Sequence, residues 1–166
     1  MRPAPPTNKG RTFPAHPLTK AEVRALLAAI PSRNPNGLRL RALVATLYGS
    51  AVRVSEALAL MPSDVDDATV RVRDGKGGRA RTVGLDDTCA DVLGRWLDRR
   101  PALGLTGRHP IFACYSVGSV GNPMDSREVR RALARAGEKA GIAKRVHPHG
   151  LRHSLAFQLA NDGVPL

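Results

Sequence analysis

Two segments of the chain place reactive polar side chains beside apolar helical stretches. Residues 47–58 read LYGSAVRVSEAL and carry Arg53 after a glycine-containing turn, and residues 147–154 read HPHGLRHS and carry His149 and Arg152. The guanidinium of arginine grips phosphate oxygens two at a time, and a histidine near neutral pH can accept or donate a proton. These residue types favour chemistry on a phosphate group.

The excess of basic side chains points to a polyanionic partner. Lys plus Arg total 26 against 14 acidic residues, which gives a formal net charge of +12, and 21 of the 26 are arginine. Such a charge attracts phosphate at long range, so it favours a nucleic acid as the partner. A solvated basic face, or an arginine-rich genome, is the alternative explanation of the same composition.

The composition argues against several other classes of protein. A chain of 166 residues with 42% hydrophobic content predicts one globular core. Cys89 and Cys114 form no CxxC pair and have no histidine at ligand spacing, so we expect neither a zinc site nor a disulfide framework, and a reducing cytoplasm fits. No apolar run approaches membrane-spanning length and the N-terminal stretch lacks a signal-peptide centre, so we expect no membrane association.

The hydrophobic patterns predict an α+β fold that is mainly helical and carries a small antiparallel β-sheet. Residues 1–17 contain five prolines and read as a basic leader or linker, and residues 18–166 are expected to form the folded domain. Val70 and Val72 alternate with arginines, and a second alternating run at 79–83 follows a Gly-rich turn, which predicts a hairpin with arginines along one face. Helices are predicted at 19–30, 38–47, 54–60, 88–100, 127–140 and 151–161, and a short strand at 111–113.

Local signals mark the ends and faces of these helices. Thr19 and Glu22 match a capping box, and Asp86 is a candidate N-cap for the helix at 88–100. The last helix is expected to turn Leu155, Phe157 and Leu159 inward.

The two polar segments together resemble the catalytic boxes of the tyrosine recombinase, or phage integrase, family. In the first box a glycine-containing turn presents an arginine, here Arg53, which is followed by Ser-Glu and an apolar helix. The second box is His-x-x-Arg, here His149 and Arg152, with His153 as the histidine that commonly follows. Lys76 lies on the predicted hairpin turn, where the family places its lysine. The resemblance covers about residues 18–166.

One pair of residues departs from the family pattern. The family usually has a smaller or glycine-containing pair immediately before the first arginine, where this chain has Ala51 and Val52.

The resemblance implies a site for breaking and rejoining DNA strands. Phosphoryl transfer spreads negative charge over the non-bridging oxygens, and Arg53 and Arg152 would clamp the scissile phosphate. Lys76 would supply a proton to the leaving 5′-oxygen, and His149 would act as a proton acceptor near the nucleophile or as a donor to phosphate. No metal or other cofactor is implied. The implied partner is double-stranded DNA, on which the complete protein would assemble as a tetramer.

Each of these assignments has a structural alternative. Arg53 can form an ion pair with Glu56 one turn along its helix, and this role is compatible with phosphate binding. Lys76 can be an ordinary solvated turn residue, and His149 and His153 can be capping or core histidines. The other histidines are His16, His109 and His147, for which a structural role is favoured.

The nucleophile of the family is absent from the expected part of the chain. The family uses a tyrosine downstream of the second arginine, preceded by a further His or Trp, whereas residues 153–166 contain neither tyrosine nor tryptophan. Tyr48 is predicted to pack in the core, and Tyr115 matches no family position. A cut for expression, a natural truncation or decayed gene, and a tyrosine donated by another chain all remain open.

Two functions follow from this sequence. The first is the DNA-binding catalytic domain of a site-specific tyrosine recombinase, inactive by itself because the tyrosine is missing. The second is a non-catalytic DNA-binding module, for example a decayed integrase that acts as an accessory or a competitor.

Overall fold

The computed structural model describes residues 16–74 and 78–163, and this part of the chain contains six α-helices and a small antiparallel sheet. The α-helices are α1 (Lys20–Ala29), α2 (Pro35–Gly49), α3 (Val54–Ala59), α4 (Asp87–Arg99), α5 (Ser126–Lys139) and α6 (Pro148–Asn161). The strands are β1 (Val65–Asp66), β2 (Thr69–Val72) and β3 (Arg81–Gly84), and short 3-10 helices span Pro62–Asp64 and Arg100–Leu103. The predicted α+β class, mainly helical, is confirmed.

Side-chain caps set where the helices begin. Thr19 accepts from the backbone N–H of Glu22 at 3.1 Å while the Glu22 carboxylate accepts from the backbone N–H of Thr19 at 2.8 Å, so the predicted capping box is confirmed. Asp86 accepts from the backbone N–H of Cys89 at 2.8 Å and caps α4 as predicted. The last helix begins at Pro148, three residues earlier than predicted, because His147 acts as its N-cap.

The sheet confirms the predicted hairpin but not the arrangement of its arginines. Strand β2 pairs antiparallel with β1 and β3, and Val72 lies opposite Arg81 while Arg71 lies opposite Thr82. Residues directly opposite each other share a face, so Arg81 lies on the face of the buried Val72 and Arg71 lies on the exposed face. The prediction of arginines along one face is therefore wrong. A buried partner for Arg81, described below, explains its inward position.

Helix α2 lies at the centre of the core. It packs against α4 on one side and α6 on the other, and Leu43, Val44 and Leu47 are fully buried. The largest buried side chain, Trp96 of α4, donates its indole N–H to the carbonyl of Ile111 at 2.8 Å, which satisfies its polar atom inside the core. Helix α1 packs against α5. The core thus fixes α6 against the end of α2.

Two other sequence predictions are corrected. Phe157 is 52% exposed, because the buried face of α6 follows Leu151, Ser154 and Gln158 at intervals of three and four residues. The expected strand at 111–113 is a single bridge between Ala113 and Pro123.

The remaining predictions on the chain's organisation concern its ends and its environment. Most of the predicted leader, residues 1–15, and the final residues 164–166 lie outside the described residues. No helix in the described ranges has both the length and the apolar character that crossing a membrane requires.

Candidate functional site

A tight turn between α2 and α3 presents Arg53. Helix α2 ends with the backbone N–H and hydroxyl of Ser50 both donating to the carbonyl of Thr46, at 3.1 and 2.6 Å. Ala51 then takes a left-handed conformation with φ of 49°, and Val52 is fully buried. A left-handed alanine is strained relative to glycine, so the departure from the family pattern noted at this position is accommodated at a cost in backbone energy. The anchored turn leaves Arg53 at the N-terminus of α3.

Glu56 fixes Arg53 from inside the protein. Its carboxylate accepts hydrogen bonds from the backbone N–H of Arg53 at 2.7 Å and from the Arg53 guanidinium at 3.1 Å. The guanidinium of Arg81 donates to both oxygens of the same carboxylate, at 3.1 and 2.8 Å. The Arg53–Glu56 ion pair considered from the sequence is therefore present. The Arg53 side chain nevertheless stays 42% exposed, so part of its fork faces solvent.

The charge state of Glu56 follows from these contacts. Burial by itself raises the pKa of this carboxyl, but hydrogen bonds from Arg81 and from the Arg53 backbone, with the charge of Arg81, lower the pKa to about 2. The Glu56 side chain is 5% exposed and stays ionised at neutral pH. Two arginines thus share one buried negative charge.

The hairpin reaches the same cluster. Arg81 begins β3 and lies opposite Val72, the last residue of β2, so the Gly-rich turn between the strands starts beside the Glu56 cluster. Lys76, the candidate proton donor, lies on this turn but outside the described residues.

Helix α6 brings the other two candidate residues together at its N-terminus. His149 is in the first turn and Arg152 begins the second, after His147 has capped the helix by accepting from the Gly150 backbone N–H at 3.3 Å. Burial, followed by the charges of His153 and Arg152, lowers the pKa of His149. His149 is therefore neutral at neutral pH, beside a cationic Arg152.

Two polar residues that the sequence analysis did not single out hold α6 in place. The backbone N–H of Leu18 donates to Ser154 Oγ at 2.8 Å, and Gln158 Nε2 donates to the Leu18 carbonyl at 3.1 Å. Gln158 also accepts from the hydroxyl of Tyr48, which immediately precedes the Arg53 turn. The only sequence signal for this face was its spacing, because Gly150, Ser154 and Gln158 recur every four residues.

A cleft of about 650 Å³ lies between the turn before Arg53 and the C-terminal half of α6. Ser50 and Ala51 line it from the turn before Arg53, and Leu155 and Gln158 line it from α6. The cleft therefore borders the first box, whereas none of the residues that line it belongs to the second box at 147–154.

Comparison with known proteins identifies the family of this chain. The model of the "Phage integrase family" matches residues 16–166, which include all of the described residues. The chain belongs to the phage integrase family. This integrase-family chain is 36% identical over 164 residues to the tyrosine recombinase XerD of Corynebacterium glutamicum, covering 96% of the chain and 52% of that protein. It is 35% identical over 159 residues to the tyrosine recombinase XerC of Halalkalibacterium halodurans, covering 90% of the chain and 50% of that protein.

Solved structures give the same fold. The crystal structure of XerA recombinase superposes with a TM-score of 0.77 and 32% identity, covering 94% of this integrase-family chain and 54% of XerA. The lambda integrase catalytic core matches with a TM-score of 0.65 and 21% identity, covering 88% of this chain and 84% of that core. The chain thus spans about half the length of the curated relatives it matches.

Both tyrosines of this phage integrase chain make internal contacts. Tyr48 is half-buried and bonded to Gln158, and burial raises its pKa. The hydroxyl of Tyr115 donates to Asn36 at 2.5 Å, and its ring lies 5.0 Å from the guanidinium of Arg39. These contacts assign both tyrosines to packing and hydrogen bonding.

The thiol of Cys89 is buried inside the protein. Cys89 is a free thiol packed beside Gly49, and burial, together with Asp86, raises its pKa to about 12. Within residues 16–74 and 78–163 no group of three or more His, Cys, Asp or Glu side chains is placed to hold a metal ion.

Proposed function

We propose that this chain is the phosphate-holding part of a site-specific tyrosine recombinase, with residues 18–166 as its DNA-binding catalytic domain. Arg53 and Arg152 clamp the scissile phosphate of a DNA duplex, His149 assists at the same phosphate, and Lys76 protonates the leaving 5′-oxygen. Complete recombinases of this family break and rejoin strands through a phosphotyrosine. A DNA substrate places this activity in the cytoplasm, and we expect the complete protein to assemble as a tetramer on paired sites.

The observation that supports this proposal most strongly is the fixed orientation of Arg53. The buried Glu56 carboxylate fixes its backbone and one guanidinium nitrogen, while 42% of the side chain remains exposed. A donor that is already oriented needs no reorganisation when negative charge develops on phosphate, which is how fixed cations stabilise a transition state. The exposed part of the guanidinium is the part that can reach a phosphate.

DNA binding is supported by charge and by relatives. The formal net charge is +12, and a structure of XerH recombinase bound to its difH substrate matches the fold of this chain with a TM-score of 0.70. Neutralising several phosphates releases counterions, so the affinity for duplex DNA should fall steeply as salt rises. An affinity that does not change with salt would overturn the proposal.

The chemical step is tested with a nicked suicide duplex, which traps covalent protein–DNA adducts. Because the hydroxyls of Tyr48 and Tyr115 are hydrogen-bonded to Gln158 and Asn36, this chain alone should give no adduct. An adduct that forms with this chain and disappears in Tyr115→Phe would refute the proposed role, because the nucleophile would then be inside the chain.

A second function, a non-catalytic DNA-binding module, is favoured by the same internal tyrosines. The two functions differ in what happens when the family's C-terminal segment, with its tyrosine, is joined after Leu166. A recombinase domain should then form an adduct on the nicked duplex, and the adduct should be lost in Arg152→Ala. An extended protein that binds DNA without any adduct supports the second function.

A further inference from the structure

A second histidine lies in direct contact with His149. His153 is one helical turn further along α6, and its Nε2 atom is 2.6 Å from Nε2 of His149. The two rings meet edge to face, with centroids 4.1 Å apart and an interplanar angle of 88°. This distance is that of a hydrogen bond, so one of the two facing nitrogens carries a proton and the other supplies a lone pair. The sequence leaves two roles open for His153, the histidine that commonly follows the second arginine of the family or a capping or core histidine. In the structure it is exposed, and His147 caps the helix.

The surroundings keep the pair from holding two positive charges. Arg152 lies beside His149 on α6, and His147 is 6.3 Å away between ring centroids, with Arg145 acting on His147 from the preceding loop. The pKa of His149 is lowered by burial and by the charges of His153 and Arg152, and that of His147 by burial and the charge of Arg145. At neutral pH His149 is therefore a neutral ring in this hydrogen bond.

The scissile phosphate of the proposed function decides the direction of this hydrogen bond. Non-bridging phosphate oxygens only accept hydrogen bonds, so a neutral histidine that binds them must present an N–H. The Nε2 atom of His149 is occupied by His153, which leaves Nδ1 as the nitrogen that can face a ligand. For Nδ1 to carry the proton, Nε2 of His149 must be the acceptor and His153 must be the donor.

We propose that His153 is a positioning residue that donates its Nε2–H to Nε2 of His149, holding His149 as the Nδ1–H tautomer that donates to the scissile phosphate. This inference rests on the proposed function, because the direction of the hydrogen bond is argued from the phosphate that His149 would bind. It selects between the two roles considered for His149: a donor to phosphate, and not a base that accepts the proton of the nucleophile. In functional histidines generally, the hydrogen bond made by one ring nitrogen decides whether the other nitrogen carries the proton.

The tautomer is measured on the free chain by long-range ¹H–¹⁵N NMR of the histidine rings at neutral pH. In the unmodified chain, His149 should carry its proton on Nδ1 and His153 on Nε2. His153→Phe keeps a ring of similar shape without a donor, and His149 should then change to the Nε2–H tautomer. His153→Gln keeps an N–H donor and should retain Nδ1–H. An Nε2–H tautomer of His149 in the unmodified chain, or a tautomer unchanged in His153→Phe, would overturn the proposal.

A second measurement separates this inference from the proposed function. When a DNA duplex is added, the Nδ1–H signal of His149 should shift, and the shift should be at least halved in His153→Phe. An unshifted signal overturns the donor role of His149. Loss of DNA affinity in arginine variants of the clamp would still support the proposed function in that case, so the two failures are distinguishable.

Discussion

Glu56 holds Arg53 twice, by accepting one hydrogen bond from its backbone N–H at 2.7 Å and another from its guanidinium at 3.1 Å. The same carboxylate binds Arg81 on strand β3, so helix α3 and the hairpin share one buried anion. The glutamate three residues after the arginine thus has a physical role, because it orients the arginine and balances the charge behind it. Predictions about stability and about DNA binding both follow from this relationship.

Removing the charge of Glu56 should destabilise the fold. Glu56→Gln leaves two guanidinium groups without a carboxylate at a site where the side chain is 5% exposed, and breaking a buried ion pair costs about 3 kcal/mol. The free energy of unfolding is measured by urea denaturation. Glu138→Gln on the exposed face of α5 is the matched control, and its effect should stay within about 0.5 kcal/mol. Equal effects of the two substitutions would contradict the role of Glu56.

The contribution of Glu56 should depend on pH. Its pKa in the folded chain is about 2, below the ordinary value of 4.5 for a glutamate, so its stabilisation is complete above about pH 4.5 and is lost as the pH falls towards 2. The difference in unfolding free energy between the unmodified chain and Glu56→Gln should therefore shrink across this window. Parallel urea titrations from pH 7 to pH 3 measure it, and a difference that stays constant would show that the ionised carboxylate is not the cause.

A glycine at position 51 should relieve the strain in the turn before Arg53 and stabilise the fold. Ala51 has a φ of 49°, which costs alanine about 1–2 kcal/mol relative to a right-handed conformation, and glycine removes most of this cost. Ala51→Gly should raise the free energy of unfolding by about 0.5–1 kcal/mol after the greater freedom of glycine in the unfolded chain is subtracted. Ala134→Gly, on the exposed face of α5, should lower it by about 1 kcal/mol. If both substitutions lower stability, Ala51 is not strained.

The contact between α2 and α6 can be tested through Gln158. Gln158→Leu removes its hydrogen bonds to the Tyr48 hydroxyl and the Leu18 carbonyl, and leaving these buried groups unpaired should cost about 2 kcal/mol. Tyr48→Phe should cost about 1 kcal/mol alone and less in the presence of Gln158→Leu, because the shared bond is already lost. Strict additivity of the two substitutions in thermal or urea denaturation would mean that the residues do not interact.

The sequence was sufficient for the parts of the fold that depend on local signals. Caps at Thr19 and Asp86 and the periodic apolar positions located α1 and α4, because these signals act within one or two turns. Strand β1 was missed because it has two residues and no alternation to detect. The sequence predicts Phe157 inside because its side chain is apolar. Ser154 and Gln158 take the buried positions instead, and their hydrogen-bond partners lie more than 100 residues away in sequence.

In the candidate site too, local motifs could be found from the sequence, whereas long-range contacts could not. Arg53, His149 and Arg152 were singled out from sequence because their motifs are local. The role of Glu56 as a shared partner of Arg53 and Arg81 depends on strand register, which one sequence does not reveal. The contact of His153 with His149 depends on side-chain rotamers on one helix face, so it too needed the structure.

The most direct test of the phosphate clamp is duplex DNA affinity in variants that keep the charge. Arg53→Lys with Arg152→Lys preserves long-range attraction but removes the two-pronged hydrogen bonding of the guanidinium. Arg95→Lys with Arg99→Lys makes the same change on two exposed residues of α4. Fluorescence anisotropy at fixed salt should show at least about tenfold weaker binding for the first pair and a change within about twofold for the second. Equal affinities for the two pairs would contradict the clamp.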